Sequence, residues 1–172
     1  MPAPIIRTGK QDIYNTLVAR AGVDGEDGQS SEEAPGEFVF DYQYELFSLG
    51  LVVGFLENQP EDLTVTDDKG QDILRISNLS ESNKHRQAIE LIHQLAKMEL
   101  SVEPPEDVSE VDEWLSSVAW DHVLEYADVG IAQIQSDIEV QEDFDFLRII
   151  TELDSEVWEE RLNTALAGHF DQ

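Results

Sequence analysis

The stretch from Phe38 to Glu57, FVFDYQYELFSLGLVVGFLE, constrains this chain most, because it is apolar on more than one side when read as a helix. Two stripes follow its length at helical spacing. They comprise Phe38, Tyr42, Leu46, Leu49, Val53 and Leu56 on one side, and Phe40, Tyr44, Phe47, Leu51 and Phe55 on the other. A helix with two apolar stripes needs neighbours on both sides, so the pattern predicts the central helix of a small bundle.

Two glycines in this stretch, Gly50 and Gly54, lie four residues apart on one face. Glycine weakens a helix by about 1 kcal/mol relative to alanine, so the pair predicts close approach of another backbone. The aromatic residues from Phe38 to Tyr44 also alternate as a strand would. The length of the whole pattern favours the helix.

The chain has 172 residues, which is enough for one domain with a substantial core. We predict a mainly α, single-domain helical bundle over residues 37–172. The segment GVDGEDGQSSEEAPG, residues 22–36, has the composition of a flexible linker, so residues 1–36 are predicted to be an N-terminal arm and an acidic linker.

The remaining elements follow from periodicity and turn residues. A short amphipathic helix is predicted within residues 5–21, and a small β-hairpin over about 63–76, whose strands at 63–65 and 73–76 flank a turn at 67–70. Helices are predicted at 84–100, from Ser109 to Tyr126, around 131–138, at 144–153, and from Asp154 or Ser155 onward, with a break at 128–130.

The charge balance is extreme, since 38 Asp and Glu residues face 10 Lys and Arg residues and give a net charge of −28. Self-repulsion at this charge is severe at low ionic strength and is screened over about 3 Å in molar salt. The composition therefore favours a halophilic source with a salt-loaded cytoplasm.

Cysteine is absent, which excludes disulfides, thiolate metal sites and cysteine nucleophiles. The first ten residues lack the apolar core of a signal peptide, and the apolar run from Leu46 to Leu56 is shorter than the roughly 20 residues of a membrane span. We expect a cytoplasmic protein with no membrane contact.

Two histidine–carboxylate pairs are candidates for a metal site or an acid–base site. Glu90 and His93 share a helix face as in di-iron bundles, but those bundles need the pair twice, and no other histidine has a glutamate three residues before it. His122 and Glu125 could form an acid–base pair, although only geometry can establish one. No phosphate loop or nucleophile elbow is present, so we predict no catalytic residue, no metal and no cofactor.

Lys84-His85-Arg86 is the one local excess of positive charge. Lys84 and Arg86 could contact a phosphate or an acidic partner, but so few cations within a chain of charge −28 cannot supply the contacts that give DNA affinity. Direct DNA binding by this chain alone is therefore not expected. Trp114, Trp120 and Trp158 have no interleaved basic residues in the sequence, which favours core or interface roles over base stacking.

The order of motifs resembles the Dnd system-associated protein 4 family, whose members are small accessory proteins encoded beside DNA phosphorothioation and related restriction genes. An aromatic helix that ends in glycine and an aromatic residue corresponds to Phe38, Phe47, Gly54 and Phe55. A later Glu-Tyr-Ala-x-x-Gly stretch corresponds to Glu125, Tyr126, Ala127 and Gly130. The family has Asn-Gly before that last glycine, where this chain has Asp128-Val129.

The resemblance covers roughly residues 38–153 and implies structural or partner-binding roles for these residues. It implies an accessory subunit of an anti-phage restriction module, with ATPase or nuclease proteins as partners, and supplies no catalytic residues. Two alternatives stay open at this point. The first is a DNA mimic that displays carboxylates at phosphate-like spacing, and the second is a metal-dependent hydrolase.

Overall fold

A computed structural model describes residues 3–20, 40–141 and 155–170. The predicted mainly α single domain is confirmed: helices pack around a central helix, and a small antiparallel sheet lies beside them. In chain order the strands and helices are β1 (Ile5–Thr8), α1 (Gln11–Leu17), β2 (Val18–Arg20), β3 (Phe40–Tyr42), α2 (Gln43–Glu57), β4 (Gln71–Arg75), α3 (Lys84–Glu99), α4 (Val111–Gln141) and α5 (Ser155–Phe170).

The central helix is α2, and it begins at Gln43 rather than at 38. Phe40–Tyr42 form β3 instead, which pairs in parallel with β2. The helix starts where it does because the Glu45 carboxylate accepts hydrogen bonds from the backbone N–H groups of Asp41 and Tyr42. The strand interpretation of the alternating aromatic residues is therefore correct for Phe40–Tyr42. Phe38 lies outside the described residues.

Helices α2 and α4 cross at three glycines, which confirms the close approach predicted from Gly50 and Gly54. A Cβ atom on Gly54 would overlap the carbonyl oxygen of Tyr126, and one on Gly130 would overlap that of Gly50. The predicted break at 128–130 is wrong, because α4 is continuous from Val111 to Gln141. Gly130 serves helix contact there rather than chain reversal.

The small sheet is antiparallel, but it is not the hairpin predicted for 63–76. Strand β4 pairs with β1, in the register Ile5↔Arg75 and Thr8↔Gln71. Residues 64–65 are exposed, whereas β1 places Ile6 fully in the core, so β1 offers the more favourable apolar partner. Gly70 has φ +73° and lets the backbone pass close to the carbonyl of Thr8.

The short helix predicted within residues 5–21 is present only as α1, because the residues on either side of it form β1 and β2. Ile6, Ile13, Tyr14 and Leu17 are buried in the same core as the helices. Over the described residues, the segment predicted as an arm is thus part of the bundle. The predicted linker, 22–36, lies outside the described residues.

Helices α3 and α5 have the predicted bounds at their starts, and Asn83 caps α3 by accepting from the N–H groups of His85 and Arg86. On α3, Ile89, Ile92 and His93 are buried, whereas Leu91 is 55% exposed. Similarly, Val111 of α4 is exposed, while Ala119, Val123, Tyr126 and Ala127 face the core. The helix predicted at 144–153 lies outside the described residues.

Within the described ranges, no helix combines the length and apolar character needed to cross a membrane.

Candidate functional site

The residues singled out by the family resemblance are mostly core residues. Phe47, Phe55, Tyr126 and Ala127 are fully buried, and Gly54 and Gly130 lie in the α2–α4 crossing. Glu125, which is half-buried, is the exception, and its side chain lines a groove described below. These positions build the framework on which any surface site is presented.

A buried arginine that the sequence analysis missed connects this framework to the last helix. Arg161 of α5 is 2% exposed, and its guanidinium lies 3.9 Å from the ring centre of Phe55. Nε donates to the Phe55 carbonyl at 2.6 Å, Nη1 to the Glu99 carboxylate at 2.7 Å, and Nη2 to the Tyr126 hydroxyl at 3.1 Å.

The same network contains a hydrogen bond from the Tyr126 hydroxyl to Glu99, at 2.7 Å. Burial and the neighbouring Glu99 carboxylate raise the pKa of Tyr126 well above its usual range, so the phenol stays protonated and donates. Every charge in this network has a partner, which is the condition for a buried ion pair to be tolerated. Its role is to hold α5 against α2, α3 and α4. The signal in the sequence was a single arginine beside the apolar Leu162 and Ala165 on a highly acidic chain.

Glu90 and His93, the candidate metal-binding pair, make separate contacts in the fold. His93 is buried, donates from Nε2 to the Ser116 carbonyl at 2.8 Å, and packs edge-on against Trp120. Glu90 is exposed and holds Arg86. Among the described residues, no three histidine or acidic side chains converge in a way that could hold a metal ion.

His122 and Glu125 are not joined by any hydrogen bond recorded for the described residues. Burial lowers the pKa of His122 and raises the pKa of Glu125. These shifts favour neutral forms of both groups, and each shift has desolvation as its largest cause.

The cations at the start of α3 have internal roles. Arg86 donates from Nε to Glu90 at 2.8 Å and from Nη1 to the Leu79 carbonyl at 2.7 Å, while His85 Nδ1 lies 2.5 Å from the Ser48 hydroxyl. Asn83 accepts hydrogen bonds from the first N–H groups of the helix, so a phosphate would have to compete with it for them. Of the two predicted phosphate contacts, Arg86 is bound internally and Lys84 extends into solvent. The predicted contact at this position is therefore reduced to one exposed cation.

A cleft of about 550 Å³ lies between β1 and α4 and is called the tryptophan cleft here. Trp120, which is 8% exposed, forms its floor with Leu124, and the half-buried Trp114 lies on its wall. The lining is completed by Ala3, Pro4, Ile5, Arg7, Lys69, Glu113, Ser117 and Asp121.

Two basic residues that are distant in sequence line this cleft together with the tryptophans. Arg7 comes from β1 and is paired with Asp72 at 2.5 Å, and Lys69 comes from the turn before β4 and lies 3.2 Å from Asp121. The sequence showed no basic residues interleaved with tryptophans because β1 and this turn are brought to α4 only by the fold. Aromatic residues and arginine are enriched at protein interfaces, whereas lysine is depleted there.

The β1 wall of the tryptophan cleft is attached to α4 at two points. The Trp120 indole N–H donates to the Ile5 carbonyl at 3.1 Å. One turn past the end of the cleft, the Asp128 carboxylate accepts from the Thr8 hydroxyl at 2.6 Å and from the Gly9 N–H at 2.8 Å. Burial raises the pKa of Asp128, although these two hydrogen bonds act in the opposite direction. Residue 128, where the chain departs from the family pattern, is thus a contact to the N-terminal segment.

A second groove, of about 520 Å³, lies on the other side of this attachment. Its charged lining residues are Lys10, Asp68, Glu125 and Asp128. Asp128 is already used by Thr8 and Gly9, and Asp68 accepts from the Gly70 N–H at 3.0 Å. Much of this polar surface therefore serves the turns that border it.

The sequence matches no family model, no curated protein and no solved structure, so the functional assignment depends on the fold and the site described above.

Proposed function

We propose that this chain is a non-enzymatic accessory subunit that binds another protein through the tryptophan cleft. The cleft is the observation that carries the proposal. Two tryptophans at one site supply a large apolar surface with a polar N–H, and tryptophan and arginine are the residues most enriched among energetically dominant interface positions. The volume of the cleft suits one or two partner side chains inserted into it.

The cellular context of the proposal is a DNA phosphorothioation-dependent restriction system of a halophile. The resemblance to the Dnd-associated family supports the restriction system, and the net charge of −28 supports the halophilic source. In such a system the partners are ATPase or nuclease proteins, and this chain works in the cytoplasm. The framework residues Phe55, Tyr126 and Gly130 present the cleft in this proposal and have no chemical role of their own.

Affinity capture from the native host in molar potassium chloride tests the proposal. The wild-type chain is expected to retain proteins of the restriction cluster, and Trp114→Ala is expected to lose them. Leu91→Ala is the matched control, because Leu91 is an exposed apolar residue on α3 outside the cleft. Capture of unrelated proteins only, or equal capture by the Trp114 and Leu91 variants, would count against the proposal.

The charge alone favours a second candidate, a DNA mimic that blocks a DNA-binding protein. A mimic acts through its carboxylates, so its affinity for its target falls steeply with salt, as DNA affinity does. The composition of the neighbouring genes distinguishes the two candidates. If those proteins are equally acidic and poor in lysine, the charge belongs to the host and not to a ligand-binding surface.

A further inference from the structure

We propose that the tryptophan cleft accepts a partner segment in which an aliphatic or aromatic anchor is flanked by carboxylates. This inference rests on the protein-binding function proposed above and specifies the chemistry of the partner. It combines the apolar floor of the cleft with the position of two cations at its edge.

The floor selects for an apolar anchor. Trp120 and Leu124 are almost fully buried by the protein itself, and Pro4 and Ile5 face them from the N-terminal segment. The indole N–H of Trp120 is already donated to the Ile5 carbonyl, so the floor offers a ring surface rather than a hydrogen-bond donor. Because Trp120 and Leu124 are already buried, an inserted apolar side chain removes mainly the half-buried Trp114, Pro4 and Ile5 from water, and it leaves no buried polar group unpaired.

The edge of the cleft has an unusual charge balance for this molecule. The whole chain has almost four acidic residues for each basic one, but the cleft is lined by two cations, Arg7 and Lys69, and two acids, Glu113 and Asp121. With Asp72, which pairs with Arg7, three acids lie beside two cations at the cleft, so a carboxylate meets a smaller excess of like charge there than the average for the whole chain.

The two cations are positioned but remain accessible. The side chain of Arg7 is 35% exposed and that of Lys69 is 23% exposed, and their aspartate partners are more exposed than they are. Both pairs are half-buried on the cation side and reach water on the aspartate side. Fully exposed pairs contribute about 0–1 kcal/mol, so a partner carboxylate that joins the internal one displaces only a weak interaction.

Several other cations of the described residues have partners elsewhere. Arg161 is buried with Glu99, Arg86 is bound to Glu90 and the Leu79 carbonyl, and Lys97 is paired with Asp112. Lys10 lies among the acids of the second groove. Among the grooves described above, the tryptophan cleft is the one that combines cations with aromatic surface.

A basic segment fits this site less well, although it is attracted to the molecule as a whole. The field of a chain with charge −28 attracts cations to all of its acidic surface, and Arg7 and Lys69 oppose them at the cleft. In about 1 M salt this field is screened beyond roughly 3 Å, so charges in direct contact decide which segment enters. At the cleft, Arg7 and Lys69 are the groups that can contact carboxylates of the segment directly.

Two fluorescent peptides with the same Phe-Leu anchor test the inference on the full-length chain, one flanked by Asp and Glu and the other by Lys. In about 1 M potassium chloride, the acidic peptide is expected to bind more tightly. Arg7→Gln combined with Lys69→Gln should weaken that binding about five- to tenfold, and Trp114→Ala about thirtyfold. Lys84→Gln, which removes an exposed cation that does not line the cleft, should leave it unchanged. Trp114→Phe keeps an aromatic ring and should fall between Trp114→Ala and the wild type.

Three results would overturn the inference: tighter binding of the lysine peptide in molar salt, no binding of the acidic peptide, or acidic-peptide affinity that does not respond to the loss of Arg7 and Lys69. Oligothymidylate that binds in molar salt and is lost with Trp114→Ala would assign the cleft to single-stranded nucleic acid instead. Affinity capture from the host separates these outcomes from the proposed function. Loss of partner capture by Trp114→Ala, together with a preference for the lysine peptide, would keep protein binding and reject the acidic segment.

Discussion

At the scale of single residues, the α2–α4 crossing depends on the absence of side chains. A Cβ on Gly130 would overlap the carbonyl oxygen of Gly50 and lie 2.7 Å from the backbone nitrogen of Gly54. Both neighbours are backbone atoms of a packed helix, so neither can move aside without shifting α2.

Gly130→Ala is therefore expected to lower the free energy of unfolding by about 1–3 kcal/mol, although alanine is the better helix former by about 1 kcal/mol. Urea unfolding followed by circular dichroism measures this change. Ser136→Ala, at an exposed position of the same helix, should stay within about 0.5 kcal/mol of the wild type. A stabilised Gly130→Ala protein would show that the helices do not cross as described.

A second residue-scale prediction concerns His93 and pH. Burial lowers the pKa of His93 below its usual 6.5, so the unfolded chain binds this proton more readily than the folded chain does. Stability from the neutral histidine is fully present above pH 6.5 and is lost as the pH falls through 6.5 toward the folded-state pKa.

Thermal melts of the wild type and His93→Gln across pH 5–8 isolate this effect, because other titrating groups are common to both proteins. The advantage of the wild type in melting temperature should shrink as the pH falls. Glu125 and Asp128, whose pKa values are raised by burial, act in the opposite direction and cancel in the comparison. An advantage that is constant or grows on acidification would contradict a buried neutral His93.

At the scale of elements, the buried ion pair of Arg161 and Glu99 connects α5 to α3. Arg161→Met removes the cation and leaves Glu99, only 5% exposed, as an uncompensated buried charge, which costs about 3–5 kcal/mol. Glu99→Gln in the same chain removes the stranded charge. We therefore expect the double variant to be more stable than Arg161→Met alone.

A double-mutant cycle by urea unfolding measures this coupling. The single variant Glu99→Gln provides the fourth corner of the cycle. Additive losses from the two substitutions would show that Arg161 and Glu99 do not interact in the folded protein.

Local patterns predicted those elements whose signals are local. The starts of α3 and α5 follow from periodicity with cap residues, and Gly50 and Gly54 indicated a helix crossing before any partner was known. The partner of β4 could not be predicted, because β1 lies more than 60 residues away and its burial depends on α4. The predicted break at 128–130 was wrong for the same reason, because the Asp128 carboxylate binds Thr8 and Gly9, which are distant in sequence.

The candidate site was less predictable than the fold. Trp114 and Trp120 were predicted as core or interface aromatics without basic neighbours, and the pairing of β1 with β4 brings Arg7 and Lys69 into the same cleft. Arg161 gave a compositional signal, an arginine on an apolar face, but its partners come from three other helices.

At the scale of the whole molecule, folding brings the carboxylates of a chain with charge −28 together, so unscreened repulsion opposes the compact state. Raising the ionic strength from about 0.01 M to 1 M shortens the Debye length from roughly 30 Å to 3 Å. Potassium chloride should therefore raise the melting temperature, by roughly 4–8 °C for every 2 kcal/mol of relief.

Circular dichroism melts across this range test the halophilic interpretation. Trehalose at matched osmolality controls for exclusion of solutes from the protein surface, which also stabilises compact states. A melting temperature that molar salt leaves unchanged or lowers would contradict the halophilic interpretation.

Site-specific photocrosslinking tests partner binding at the tryptophan cleft most directly, and the absence of cysteine makes it simple. Ser117→Cys places one benzophenone-labelled thiol at the edge of the cleft, and Ser136→Cys places one on an exposed face of the same helix outside it. In host extract with molar potassium chloride, Ser117→Cys should crosslink to a protein of the restriction cluster, and Ser136→Cys should not. Equal crosslinking from both positions, or none from Ser117→Cys under conditions in which affinity capture retains the partner, would contradict the assignment of the cleft.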